Sequence, residues 1–217
     1  SDEIYFKNLT GDTAWSEAMG LDGKAYRFLP ATNQVLAFDP TSWVIAGAGP
    51  DPSPTIPAPV VIDSVPGNAI DRFAAMPLGV VLHSTRSGQN YNERQEFDAT
   101  VNYVRSGAGG LGWNVGIGPG IIATHINPRQ WGWHARGASS LWLSAEFAQA
   151  KLDGPISDGQ VEAFCWWWRN VARAVWPGLP MTFENHSDLP EGIADGKSDP
   201  EPRGQHSLRD RILAVLQ

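Results

Sequence analysis

The stretch Gly79-Val80-Val81-Leu82-His83-Ser84-Thr85-Arg86-Ser87-Gly88 opens with a short, wholly apolar run and closes on polar turn residues. An apolar run of that length reads as a strand covered on both faces, the pattern of a parallel sheet. His83 ends the run, and a residue at the end of a buried strand emerges at the sheet edge, where loops build sites. Downstream, strand and helix patterns alternate. Glu93–Arg105 carries Phe97, Val101 and Val104 at the spacing of an amphipathic helix. Residues 113–117 and 121–125 flank Gly118-Pro119-Gly120 and read as a hairpin. Residues 141–148 read as another strand. A helix capped by Ser157 or Asp158 is predicted to run to about Trp176, where Pro177-Gly178 ends it. Its inward face holds Val161, Phe164, Cys165, Trp168, Val171 and Val175. Ser207 opens a last helix with Leu208, Ile212, Val215 and Leu216 inward. Strands interleaved with helices give an α/β (α+β) domain, a central mixed β-sheet flanked by helices.

Upstream the composition changes. Between Gly47 and Gly67 lie Pro50, Pro52, Pro54, Pro57, Pro59 and Pro66. Each proline fixes φ and removes a donor, so this segment is neither a helix nor an inner strand but an extended connector. Before it, residues 4–7, 25–29, 34–38 and 43–46 are β-like pieces between turn signals. The expected organisation is a β-rich N-terminal arm over residues 1–49, a connector over 50–75 and the main domain over 76–217.

The 217 residues are 42% hydrophobic and 18% charged, enough apolar material for a core and too much for wholesale disorder. Lys and Arg total 16 against 23 Asp and Glu, a formal charge of -7 with no basic run, so neither nucleic acid nor an anionic membrane is expected as a partner. No apolar run reaches the roughly 20 residues of a membrane span. The single cysteine, Cys165, excludes an internal disulfide framework and a Cys-only zinc site, and its apolar neighbours make it inert packing. No basic stretch followed by an apolar one marks a signal peptide, and the start at Ser1 reads as a processed chain or a piece of a longer one.

Three clusters carry chemistry. His83 is the first. The second is the polar loop from His186 to Pro200, which offers His186, Lys197 and Asp199. Together with His83 this makes two imidazoles and a carboxylate, the ligand count of a catalytic zinc site that keeps one position for water. The bland reading of the same loop is a solvated turn. The third cluster is Trp133-His134 followed by Leu141–Phe147, in which Glu146 interrupts an apolar strand. A carboxylate there is costly unless it is paired, lines a cavity, or faces solvent on an exposed side. His125 and His134 form a rival metal pair without a Lys–Asp partner nearby. Among ten tryptophans, Trp166, Trp167 and Trp168 are consecutive, so at about 100° per residue they cannot all face the core.

Taken in order, the pieces VVLHSTRSG, GWNVGI, WHARG, WLSAE and HSDLPEGIADGKSDPEP resemble the zinc-dependent N-acetylmuramoyl-L-alanine amidases of the type-2 family. That family includes phage lysozyme-like amidases, the cell-wall-recycling amidase and the peptidoglycan recognition proteins. The resemblance spans roughly residues 78–216 and implies the fold of that family. It makes His83, His186 and Asp199 the ligands of a Zn²⁺ cofactor, Glu146 the catalytic base and Lys197 the catalytic lysine. Trp113, Asn114, Trp133 and His134 fall on positions at the substrate groove. Trp113 stands where phage-type members have tyrosine, so acid–base work falls to Glu146 and Lys197. Glu201 stands where the family has glycine, and the loop from His186 to Lys197 is longer than in many members.

The activity implied is hydrolysis of the amide between N-acetylmuramic acid and L-Ala of peptidoglycan, as in a phage endolysin. The implied partner is the muramyl peptide, bound by a monomer made in the host cytoplasm and released to the wall. The competing readings are a peptidoglycan-binding module without catalysis and an amidase for soluble muropeptides.

Overall fold

A computed structural model describes four strands between Ser16 and Ala46, then residues 56–62, 67–107, 110 and 112–217. The β-piece expected at 4–7 lies outside the described residues. The chain divides into two compact units, Ser1–Pro52 and Ser53–Gln217. In the first, β1 (Ser16–Met19), β2 (Ala25–Leu29), β3 (Gln34–Phe38) and β4 (Ile45–Ala46) pair antiparallel in sequence order.

The second unit is built on a six-stranded sheet. Its strands are β5 (Val60–Ile62), β7 (Val80–Ser84), β8 (Val115–Gly118), β9 (Ile121–Thr124), β11 (Leu143–Phe147) and β12 (Phe183–Asn185), in the order β12-β7-β11-β8-β9-β5. All neighbours are parallel except the β8–β9 hairpin, so the sheet is mixed as expected. Pro119 and Gly120 make the hairpin turn, and Gly120 takes the positive φ of 63° that the turn requires. A two-stranded ribbon pairs β6 (Ala69–Arg72) with β10 (Gln130–Gly132). Two pieces of the connector expected over residues 50–75, β5 and β6, are therefore strands of this unit. One of them, β5, takes the sheet edge, where missing N–H donors are tolerated.

Period-2 alternation sorts the two faces. Val80 and Leu82, Val115 and Ile117, and Leu143, Ala145 and Phe147 pack on one side against helices α2 (Asp158–Trp167) and α5 (Ser207–Leu216). Phe164 is the hub, with ring centroids of Phe147, Trp167 and Phe183 at 5.6, 6.0 and 5.5 Å. Burying each such side chain contributes about 1.5–3 kcal/mol. Helix α1 (Glu93–Arg105) covers the other side through Phe97, Val101 and Val104, which meet Trp113, Ile121 and Ala123. Its first turn is closed by a reciprocal cap between Asn92 and Gln95.

The long helix departs from the expected regular stripe. After Trp167 the backbone widens into a π turn over Trp168–Ala172, and a short α3 (Arg173–Val175) follows. The wide turn inserts one residue into the helical period. Ala172 is consequently buried, while Val171 and Val175 are only half-buried. Trp167 and Trp168 both reach the core and Trp166 is the half-buried one. Cys165 is buried and unpaired, and burial pushes its thiol up to about 12. No helix among the described residues is long and apolar enough to cross a membrane.

Candidate metal centre

The sheet register lines up the site. Glu146 on β11 stands opposite His83 on β7 and Gly116 on β8, and Asn185 on β12 stands opposite Leu82. His186, one residue on, is thus level with His83. One row across the carboxyl ends of parallel strands carries both imidazoles and the carboxyl group. Because His83 and Glu146 lie on the side opposite Leu82 and Ala145, they face away from the α2–α5 core.

Asp199 arrives from the loop after the short helix α4 (Pro190–Ala194), and several contacts fix that loop. The Ser187 amide donates to the Asp199 carbonyl at 3.0 Å, and the Lys197 amide to the Gly192 carbonyl at 2.8 Å. Gly192 passes so close to His186 that a Cβ there would lie 1.7 Å from the His186 carbonyl oxygen. The Arg86 guanidinium donates to Ser198 Oγ at 2.6 Å and to the Ser198 carbonyl. Glu201, the residue unlike the family pattern, is buried and caps α5. It accepts from the Leu208 amide at 2.9 Å and from the Ser207 hydroxyl.

Three ligand atoms converge. His83 Nδ1 lies 3.1 Å from His186 Nδ1 and 3.4 Å from Asp199 Oδ2, and His186 Nδ1 lies 3.1 Å from the same oxygen. Nitrogen and oxygen donors at about 2.0–2.1 Å from a tetrahedral zinc stand about 3.3 Å from one another. The triangle is therefore a zinc-sized face, and the donor set suits that metal. Among the described residues this is the one group of three or more His, Cys, Asp or Glu side chains gathered in this way. His125 and His134 do not assemble into such a group: His125 lies over Gly116, while His134 sits behind His83.

The electrostatics follow from burial. Burial alone would raise the Asp199 carboxyl, but the imidazoles of His186 and His83 beside it outweigh that effect and hold Asp199 well below the usual carboxylate range. His83 is lowered by burial, partly offset by the Asp199 carboxylate beside it. Glu146 is pushed well above the ordinary value, first by burial and then by the charges of Asp199 and Glu96. It lines a cleft of about 690 Å³ together with His83, His186, Asp199 and Lys197, and Trp113 and Tyr103 form part of the wall.

The remaining expected site residues have varied surroundings. Asn114 is buried among backbone partners: its Oδ1 accepts from the Ser144 amide at 2.9 Å and its Nδ2 donates to the Gln130 carbonyl at 3.0 Å. Trp133 is 47% exposed, edge-on to Trp131 at 5.4 Å. His134 is buried, with Nδ1 3.0 Å from His83 Nε2 and Nε2 3.2 Å from the Trp142 carbonyl. Two charged residues of the cleft are not among those expected from the sequence. Arg86 is one. The other is Glu96, buried and accepting from the Thr85 hydroxyl at 2.5 Å and the Ser87 amide at 3.0 Å. The spacing of Glu96, Ala99, Thr100 and Tyr103, a second stripe on α1, carries the signal for that wall.

No protein-family model and no curated protein matches the sequence. Solved structures do match in fold. The catalytic domain of XlyA is 18% identical over 72% of this chain and 99% of its own, with a TM-score of 0.50. A mutant endolysin from Bacillus subtilis is 16% identical over 72% and 98%, with a TM-score of 0.52. The Staphylococcus aureus hydrolase AmiA, solved with its ligand, is 12% identical over 74% and 84%, with a TM-score of 0.50. What this chain shares with them is the arrangement of sheet and helices, which is the amidase-like fold expected from the motifs.

Proposed function

We propose that the domain over residues 76–217 is a zinc-dependent amidase that cleaves the bond between N-acetylmuramic acid and L-Ala in peptidoglycan. The observation that carries this reading is the convergence of two imidazole nitrogens and a carboxylate oxygen within 4.8 Å of one another, on a cleft that also holds Glu146. The endolysin-like fold supports a cell-wall substrate. His83, His186 and Asp199 would hold the ion. When bound, zinc supplies a Lewis acid for the amide carbonyl and lowers the pKa of water from about 15.7 toward about 7.

Glu146 takes the proton of the attacking water on its carboxylate and returns it to the leaving amine nitrogen. Lys197 at the rim donates to the carbonyl oxygen as charge builds there, an effect of about 10²–10³ in rate for a single donor in such a site. Trp113 in the wall offers an apolar surface but no phenolic proton, so it takes no part in proton transfer. As an endolysin the protein would be made in the host cytoplasm and act on the wall as a monomer.

The test is to incubate the full chain with purified cell wall and label newly exposed amino groups, with zinc measured on the same sample. New L-Ala amino termini and one zinc per chain are expected. Zinc-loaded protein that binds wall without releasing L-Ala termini would make it a binding module instead.

A further inference from the structure

The chain of contacts behind His83 decides which of its nitrogens is free. The Trp142 carbonyl has only lone pairs to offer, so the contact at 3.2 Å requires a proton on His134 Nε2. An imidazole with one ring proton is then a bare acceptor at Nδ1. That acceptor lies 3.0 Å from His83 Nε2, which must supply the proton of this contact. With its proton on Nε2, His83 has a bare Nδ1, the atom that faces His186 Nδ1 at 3.1 Å and Asp199 Oδ2 at 3.4 Å. Only a bare ring nitrogen can bind a metal.

The relay is held rigidly at its far end. The His134 and Ala135 amides both donate to Ser139 Oγ, at 3.1 and 2.9 Å, and Ser139 is fully buried. The rings of His83 and His134 meet edge to face, with centroids 5.1 Å apart and planes at 89°. With both ring nitrogens engaged inside the protein, His134 has none left for a sugar or a peptide.

We infer that His134 is a positioning residue that, with the Trp142 carbonyl, fixes His83 as the Nε2–H tautomer and turns its bare Nδ1 to the metal. The inference rests on the reading of His83 as a zinc ligand, and its test separates the two. Long-range ¹H–¹⁵N correlation spectra of the histidine-labelled, metal-free chain report the tautomers directly. Both His134 and His83 are expected as Nε2–H forms. A proton on His134 Nδ1 overturns the relay whatever the metal does.

Zinc affinity, measured by competition with a coloured chelator, is the second arm. His134→Phe keeps a ring but no acceptor, and is expected to weaken zinc binding about 10- to 100-fold, the usual effect of losing such a supporting contact. His134→Asn can place Oδ1 near the position of Nδ1 and is expected to recover most of the loss. Each variant is compared at matched helical content and Tm. A folded Phe variant with wild-type affinity refutes the inference. Wild-type protein that binds no zinc refutes the ligand reading, while the spectra still decide the relay.

Discussion

Replacing Glu146 with glutamine separates chemistry from folding at this site. The side chain is 4% exposed and lines the cleft, within reach of the charges of Asp199, Glu96, Lys197 and Arg86. Glutamine has nearly the same shape, so Glu146→Gln keeps the packing and removes a group whose ionised form is disfavoured by burial, Asp199 and Glu96, which together outweigh the attraction of Lys197 and Arg86. The sign follows: a carboxyl group with a raised folded-state pKa costs stability as pH climbs above its ordinary value of 4.5 toward the raised one. The metal-free variant is therefore expected to be at least as stable as wild type at neutral pH, with its advantage vanishing in acid. Activity moves the other way. Loss of a general base costs about 10²–10⁴ in rate, or about 2.7–5.4 kcal/mol of barrier. Thermal unfolding of metal-free protein from acid to neutral pH gives the first quantity, and release of L-Ala termini at constant zinc content gives the second. A variant that keeps its zinc and more than about a tenth of wild-type turnover would remove Glu146 from the mechanism.

Lys197→Ala is expected to keep zinc and stability while lowering turnover about 10²- to 10³-fold; an equal rise in KM with unchanged kcat would contradict its role at the oxyanion. Asp199→Ala is expected to abolish zinc retention in dialysis, and chelation of wild type should stop activity until zinc is restored. In the metal-free protein, Asp199 stabilises the fold above the ordinary carboxylate value of 3.8, and that contribution should fade as pH falls from there toward its depressed folded-state value. Phe164→Ala should cost about 3–5 kcal/mol in denaturant unfolding, because three aromatic neighbours border the space it leaves.

Where periodicity alone specifies an element, the sequence was readable. The apolar run of β7, the stripe of α1, the hairpin around Pro119-Gly120 and the inward positions Leu208 and Ile212 of α5 all have that character. The π turn did not, because inserting one residue leaves each local window looking helical. Strands of three residues, β6's partner β10 and the edge strand β12, are too short to show alternation. Within the site, Glu146 was legible because a charge in an apolar strand demands a reason. Glu96 was not, because a charged residue on an amphipathic helix is by default a solvated one. Asn114 and His134 illustrate the converse limit. Residue type told that they carry hydrogen-bonding groups, but only the fold tells that their partners are Ser144, Gln130, Trp142 and His83.

Glu201 ties helix α5 to the candidate ligands. Its carboxylate ends α5 while its carbonyl receives the Ser187 hydroxyl at 2.8 Å, and Ser187 is next to one candidate ligand as Glu201 is two positions from another. Fraying of that helix would leave a buried carboxyl group without its donors and loosen both candidate ligands at once. Conversely, an ion gripping His186 and Asp199 would tighten the helix from the inside. A metal bound there would thus share one free energy with α5, so that strengthening either would strengthen the other.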